Sequence, residues 1–259
     1  MRALLVALAM VWLPALAWGE TIKIGATGAV LGALERLASA FEASQSAHSV
    51  VVVRPSVGSR GAILGVTRGD FGLGVSARPL DEAEKAGGLV QSELGRTAFV
   101  LATRQDGGDG LTLAQLADIH AGRIVTWPDG SRLRLVLRPA NDSDTAQLKA
   151  MSPEMALAVE SAQDRTGMTI AVTDQEAADL IGRTPGALGT TTLALIRGEG
   201  RALRVLPIEN QTPDDPHWPY VRVFHLIVPE RPSAAAAAFA AFVGSPDGRR
   251  VLGEAGVWP

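Results

Sequence analysis

Apolar and polar positions along this chain follow two rhythms, one of period two and one near 3.6, and the two take turns. Thr21 to Gly25 sets Ile22 and Ile24 on one face, which predicts a strand. Val30, Leu34, Leu37, Ala38 and Phe41 then fall three and four residues apart, while Glu35, Arg36 and Glu42 take the other side, which predicts an amphipathic helix. Val50 to Val53 is an unbroken β-branched run, the pattern of a central strand covered on both faces. The order then recurs as a short helix around Ile63 and Leu64, a strand from Phe71 to Val75, an acidic helix from Asp81 to Ala86 and a strand from Thr97 to Ala102.

Beyond a Gly-rich passage, Asp106 to Gly110, which reads as a crossing between lobes, Thr112 to Gln115 forms a capping box for a helix carrying Leu113, Leu116 and Ile119. Leu133, Leu135 and Leu137 alternate with Arg132, Arg134 and Arg138, predicting a half-buried strand with a basic side. It runs into a polar loop, Asn141 to Thr145. Ser152-Pro153 and Thr173 to Glu176 are helix starts, the first by a proline in the opening turn and the second by a capping box. An irregular Pro-rich return, Pro207 to Pro219, precedes a strand from Val221 to Val228 and two helices bearing Phe239, Phe242, Val251 and Leu252. Strands and helices joined by short connections predict α/β architecture with parallel pairing.

The ends and the composition narrow this picture. Met1-Arg2 and an apolar run from Ala3 to Trp18, closed by small residues at Ala17 and Gly19, predict a secretory signal peptide cleaved near Gly19. The run is shorter than a membrane span, and no later segment reads as one. Without a cysteine, an exported chain must hold itself together by its core. A formal charge of −3 supplies no basic field for nucleic acid, so any anion must be caught locally.

Three predicted strand-to-helix junctions are suited to that: Gly25-Ala-Thr27-Gly28-Ala29, Gly58-Ser59-Arg60-Gly61 and Asp142-Ser143-Asp144-Thr145. The first amides of a helix lack internal partners and, with the positive end of the helix dipole, attract anions. Glycine permits close approach and hydroxyls add donors. Taken singly, Thr27, Ser59 and Ser143 are equally well read as ordinary helix caps. Arg138 at the end of the basic strand, and Arg60 and Arg78 beside the other junctions, favour a site.

Other chemistries lack their signatures. Gly72 to Ala77 loosely matches a dinucleotide fingerprint, but its glycines fall inside a strand rather than in the turn that opens a helix. No GxxxxGK[ST] run and no GxSxG elbow is present, and no nucleophile stands at a recognisable spacing from a base. His48, His120, His217 and His225 lie far apart with no cysteine partners, so neither a metal nor another cofactor is expected. Trp127, Trp218 and Trp258 read as packing residues.

The segment Gly25 to Phe41, then Gly58-Ser-Arg-Gly61, Gly69 to Leu80, Leu111 to Trp127, Leu137 to Thr145 and Arg183 to Gly189 together resemble the phosphate-type periplasmic solute-binding proteins of ABC importers. The resemblance implies a two-lobed, type 2 periplasmic-binding-protein fold, each lobe a mixed, mostly parallel sheet flanked by helices, with a two-crossover hinge. It places 20–102 plus 206–259 in one lobe and 103–205 in the other. It implies a monomeric, periplasmic, non-enzymatic protein whose partners are inorganic phosphate or a related oxyanion and an inner-membrane ABC permease. A sensing module that docks a receptor instead is the alternative. Thr27, Gly28 and Ala29, Ser59 with Arg60 and Gly61, Ser76 and Arg78, and Ser143 to Thr145 would surround the anion, with Arg138 supplying charge.

One departure matters. Where such phosphate binders carry an Asp after the position of Ser76 to accept the ligand's proton, this chain has Ala77. A carboxylate elsewhere would restore discrimination between protonated phosphate and unprotonated sulfate, and Asp142 or Asp144 is expected to take that role.

Overall fold

A computed structural model describes residues 19–44, 47–106, 110–215 and 217–259. The apolar leader, the middle of the Gly-rich passage (107–109) and Pro216 lie outside the described residues. Among the described residues no helix is long and apolar enough to cross a membrane.

The first half builds β1 (Thr21–Ala26), α1 (Leu31–Ser44), β2 (Ser49–Val52), α2 (Gly58–Arg68), β3 (Leu73–Ser76), α3 (Glu82–Ala86) and β4 (Leu89–Thr103). In α1, Leu34, Leu37, Ala38 and Phe41 are buried as their spacing predicts, and Phe41 meets Phe239 and Phe242 edge-on at 5.2 and 5.5 Å. The middle adds α4 (Leu113–His120), β5 (Arg134–Leu137), α5 (Ser143–Lys149), α6 (Pro153–Asp164), β6 (Thr169–Ile170), α7 (Asp174–Arg183), β7 (Ala187–Thr192), α8 (Leu193–Gly198) and β8 (Arg204–Leu206). The chain closes with β9 (Val221–Pro229), α9 (Ala234–Gly244) and α10 (Pro246–Glu254).

The strands form one continuous sheet in the order β2-β1-β3-β9-β4-β7-β5-β6, with β8 also paired to β4. Parallel pairs, β1 with β2 and β3 and β5 with β6 and β7, occupy the two wings, and antiparallel pairs through β9 and β4 join them. Two main cores flank it. One gathers Ile24, Leu34, Phe41, Phe224, Phe239 and Leu252, and the other Phe99, Leu101, Val136, Met155, Ile181 and Leu188. Helix α8 touches both, since Ala194 lies in the first while Leu193 and Ile196 lie in the second.

Strand β4 bridges the wings. Its first part, Leu89 to Ala98, pairs with β9, and its last part, Phe99 to Thr103, pairs with β7. Only Thr97 to Ala102 is legible as a strand, because a register shift between Glu93 and Gly95 breaks the alternation before it.

The expectation that Val50 to Val53 is a central buried strand is incorrect. β2 is the outermost strand of its wing, and Val51 is 46 % exposed. A β-branched run reports that a strand is favoured, not how many neighbours it has. The helix starts behave as predicted at Thr112, whose hydroxyl and Gln115 close a reciprocal capping box, and at Ser152-Pro153. At Thr173 only half the box forms, because the Glu176 carboxylate accepts from the Val172 amide at 2.7 Å instead.

Candidate functional site

Parallel strands in α/β sheets direct their carboxyl ends toward the loops that bind ligands. Here the ends of β1, β2 and β3 face the ends of β5 and β6 across the junction between the wings. On the first side the chain leaves β1 at Thr27, which is buried and whose amide is bonded to the Val75 carbonyl at 3.0 Å. A short 3-10 turn, Gly28–Val30, follows. Thr27 stands at its N-cap position, yet its side chain makes no capping bond.

At the start of α2, Ser59 lies inside the helix and its hydroxyl accepts from the Ala77 amide at 2.9 Å, fastening the end of β3 to this junction. The N-cap position belongs to Val57, with no side-chain cap. Ser143 is the first residue of α5, where Asp142 is the cap and accepts from the Asp144 amide at 2.8 Å. The cap reading therefore fails for all three hydroxyls. Among the described residues the proton of Ser59 has no acceptor and remains available to a ligand.

The second side is charged and buried. Arg138, 4 % exposed at its side chain, leaves β5 and holds Asp142 at 2.9 Å, the Ala171 carbonyl at 3.0 Å and Asp174 at 3.6 Å. Behind it Arg222 of β9 pairs with Asp144 at 2.6 Å, donates to Gln147 at 3.0 Å and stacks 5.2 Å from the Phe99 ring. Thr190 donates to the second Asp144 oxygen at 2.9 Å. Thr145 turns its hydroxyl back to the Pro139 carbonyl at 2.8 Å and so shapes its own loop.

Three carboxylates, Asp142, Asp144 and Asp174, thus face two guanidiniums. Burial works against the charge on Asp144, but Arg222 and then Arg138 outweigh it and hold the carboxyl below the usual carboxylate range. Asp174 is the surplus acid. Burial and then the charge of Asp144 push it up to about 6, against the opposing pull of Arg138.

Asp174 is also the residue that reaches the other side. A Cβ added at Gly28 would stand 2.4 Å from its Oδ2 and 2.7 Å from Oε1 of Gln175, so a side chain at Gly28 would force both of these side chains to shift. Gln175 donates to the Gly28 carbonyl at 2.8 Å and to Glu199 at 2.9 Å. A cavity of only about 10 Å³, lined by Leu137, Arg138, Thr145 and Thr190, has room for one water at most and not for a tetrahedral anion.

Residues 17–247 match the family described as the PBP superfamily domain. The chain belongs to the PBP superfamily. No curated protein matches it significantly. Among solved structures, a putative phosphate ABC transporter substrate-binding protein with bound phosphate from Clostridium perfringens is similar at 18 % identity, with a TM-score of 0.74 over 92 % of this chain and 98 % of that one. An ABC-type phosphate transport receptor from Vibrio cholerae gives 18 % identity and 0.64 over 92 % and 99 %. A periplasmic molybdate-binding protein from Azotobacter vinelandii gives 17 % and 0.66 over 92 % and 99 %. At these identities the likeness establishes the type 2 periplasmic-binding-protein fold, and a binding protein rather than an enzyme is what this PBP superfamily membership supports.

Within this PBP domain the predicted site residues part company. Thr27, Gly28 and Ala29 lie at the junction, as do Ser59 and Arg138. Ser76 accepts from the Arg78 amide and donates to the Arg78 carbonyl, a closed local turn. Arg78 is turned away: both its terminal nitrogens bind Glu84, at 2.8 and 2.7 Å. Arg60 and Ser143 are exposed, and Gly61 packs against Val57. Asp142 is occupied by Arg138 and the amide of Asp144, and Asp144 by Arg222 and Thr190. Asp174 and Arg222 escaped the sequence reading. Asp174 looks like any acid in a first helical turn, whereas Arg222 does leave a signal, since it shares the inward face of its strand with Phe224 and Leu226.

Proposed function

We propose that this chain is an exported solute-binding protein that captures phosphate, or a similar protonated tetrahedral oxyanion, at the junction between the wings. The two wings act as lobes, 20–102 with 206–259 and 103–205, and deliver the anion to a membrane permease of the ABC type. The family and the phosphate- and molybdate-binding proteins of the same fold support the class of ligand. Gly28 and Ala29 would offer amides and Ser59 a hydroxyl, while Arg138 supplies the charge.

The observation that carries the reading is the position of Asp174, wedged between Gly28 and Arg138 with its affinity for a proton raised. A carboxylate there repels an anion unless one proton is shared between them. Phosphate and arsenate bring that proton near neutral pH, and sulfate and molybdate do not. Asp174 thereby takes the part that Ala77 leaves vacant, in place of Asp142 or Asp144.

Calorimetric titration of the mature protein with phosphate, arsenate, sulfate and molybdate tests this. Phosphate and arsenate are expected to bind and the other two to bind weakly. In Asp174→Asn the preference for phosphate over sulfate should shrink by about tenfold to a hundredfold, the worth of one hydrogen bond to a charged group. Binding of none of the four anions would overturn the function, and an unchanged preference in Asp174→Asn would overturn the role of this residue.

A further inference from the structure

At the opposite end of β5 from Arg138, away from the junction, lies a cavity of about 420 Å³. Arg138 lies four positions after Arg134, about 13 Å along an extended strand. The volume falls within the roughly 300–1,000 Å³ of small-molecule sites. Its floor is apolar, formed by Ile119, Leu133 and Met168, and its rim carries Arg132, Arg134 and Arg165 with no carboxylate among the lining residues.

The three arginines are differently placed. Arg134 is tied to the Pro185 carbonyl at 2.7 Å, which fixes one guanidinium at the rim. Arg132 is exposed and forms no ion pair among the described residues. Arg165 follows the end of α6, and its Nε is buried with no hydrogen-bond partner among the described residues. Its charge also reaches inward, adding to the burial that keeps His120 neutral.

Two facts together set the chemistry. Three cations without a counter-charge call for an anion, and guanidinium forks suit the oxygens of phosphate and carboxylate groups. The apolar floor calls for a hydrocarbon part, which a bare inorganic anion does not have. We propose that this cavity is a second binding site, distinct from the junction, for a small organic anion with an apolar body, of the aryl or alkyl phosphate or carboxylate class. It does not depend on what the junction binds.

The test uses the whole mature chain and phenyl phosphate as probe, with phenol and inorganic phosphate as its two separate parts. Isothermal titration in excess inorganic phosphate is expected to show phenyl phosphate binding that phenol does not reproduce. Arg132→Gln and Arg165→Gln should each weaken it about tenfold or more, the scale of one charge-assisted contact, while Ser59→Ala leaves it unchanged. Arg132 is exposed, so its replacement keeps the fold, which circular dichroism verifies. The proposal falls if phenyl phosphate does not bind at millimolar concentration, if phenol binds equally well, or if the arginine variants bind as before. It falls too if Ser59→Ala alone abolishes binding, which would place the probe at the junction.

Discussion

The two sides of the junction solve one problem by opposite means. The side made by β1, β2 and β3 presents neutral groups, the turn at Gly28 and the Ser59 hydroxyl, and pairs Arg78 to Glu84 outside the site. The side made by β5 and β6, which Arg222 enters from β9, packs five charged groups, of which Arg138, Arg222 and Asp144 are almost wholly buried. Neutral donors cost little to keep ready because water solvates them until a ligand arrives. Buried charges have no such reserve and must be balanced by one another at all times. The charged side is therefore where substitution should be expensive, and the neutral side where it should alter affinity with the fold intact.

The largest effect is expected from Arg222→Ala, which leaves Asp144 buried against Thr190 without its partner. Loss of about 3–5 kcal/mol in urea unfolding is anticipated. A loss under about 1 kcal/mol would mean that the cluster is wetter than its burial indicates. Arg138→Ala should follow, weakening phosphate by at least about a hundredfold, as expected when a buried charge partner is removed, and calorimetry reads this directly.

Next comes a pH effect. The raised proton affinity of Asp174 means that the folded state holds a proton that the unfolded state releases earlier, so its contribution to stability is present below about pH 4 and is lost as pH rises to about 6. Replacing Asp174 by Asn removes that loss. Unfolding at pH 8 should show a gain of about 1–3 kcal/mol that vanishes by pH 4, and a variant whose gain is the same at both pH values would contradict the placement of this acid.

Gly28→Ala tests the contact between the sides. Its new methyl meets Asp174 and Gln175 and should hold the sides apart, weakening phosphate by about tenfold with a stability change near 1 kcal/mol. The smallest effect is expected from Arg78→Gln. The pair with Glu84 is 40 % exposed on the Arg side, worth less than about 1 kcal/mol, and phosphate affinity should not move.

Legibility in the sequence follows the same divide. Glycines, hydroxyls and amphipathic spacing leave local marks, so α1, the start of α4 and the three strand-to-helix junctions were all readable. Charge pairing is not local. Arg138 stands four residues before Asp142, but nothing near Asp144 indicates that Arg222 will occupy it, because Arg222 arrives from a strand 78 residues later. Asp174 was missed for a similar reason, since its neighbour Gly28 lies across the junction at the other end of the domain. The edge position of β2 is also a long-range property, decided by which strands find each other. What β-branched residues encode is a strand; its place in the sheet comes from topology.

The 15-residue strand β4 has a consequence for taking the molecule apart. Because one strand belongs to both wings, and β9 returns beside its first part, the wing of β1, β2 and β3 is not contained in a continuous stretch of sequence. A fragment ending near Ala98 would lack β9, and one beginning at Phe99 would leave β9 without either strand it pairs with, β3 and the first part of β4. Neither half is expected to fold when expressed alone, yet the two could reassemble if supplied together. The same strand passes from one wing to the other without a loop, so an opening between them is expected to twist β4 as well as move the return that follows β8.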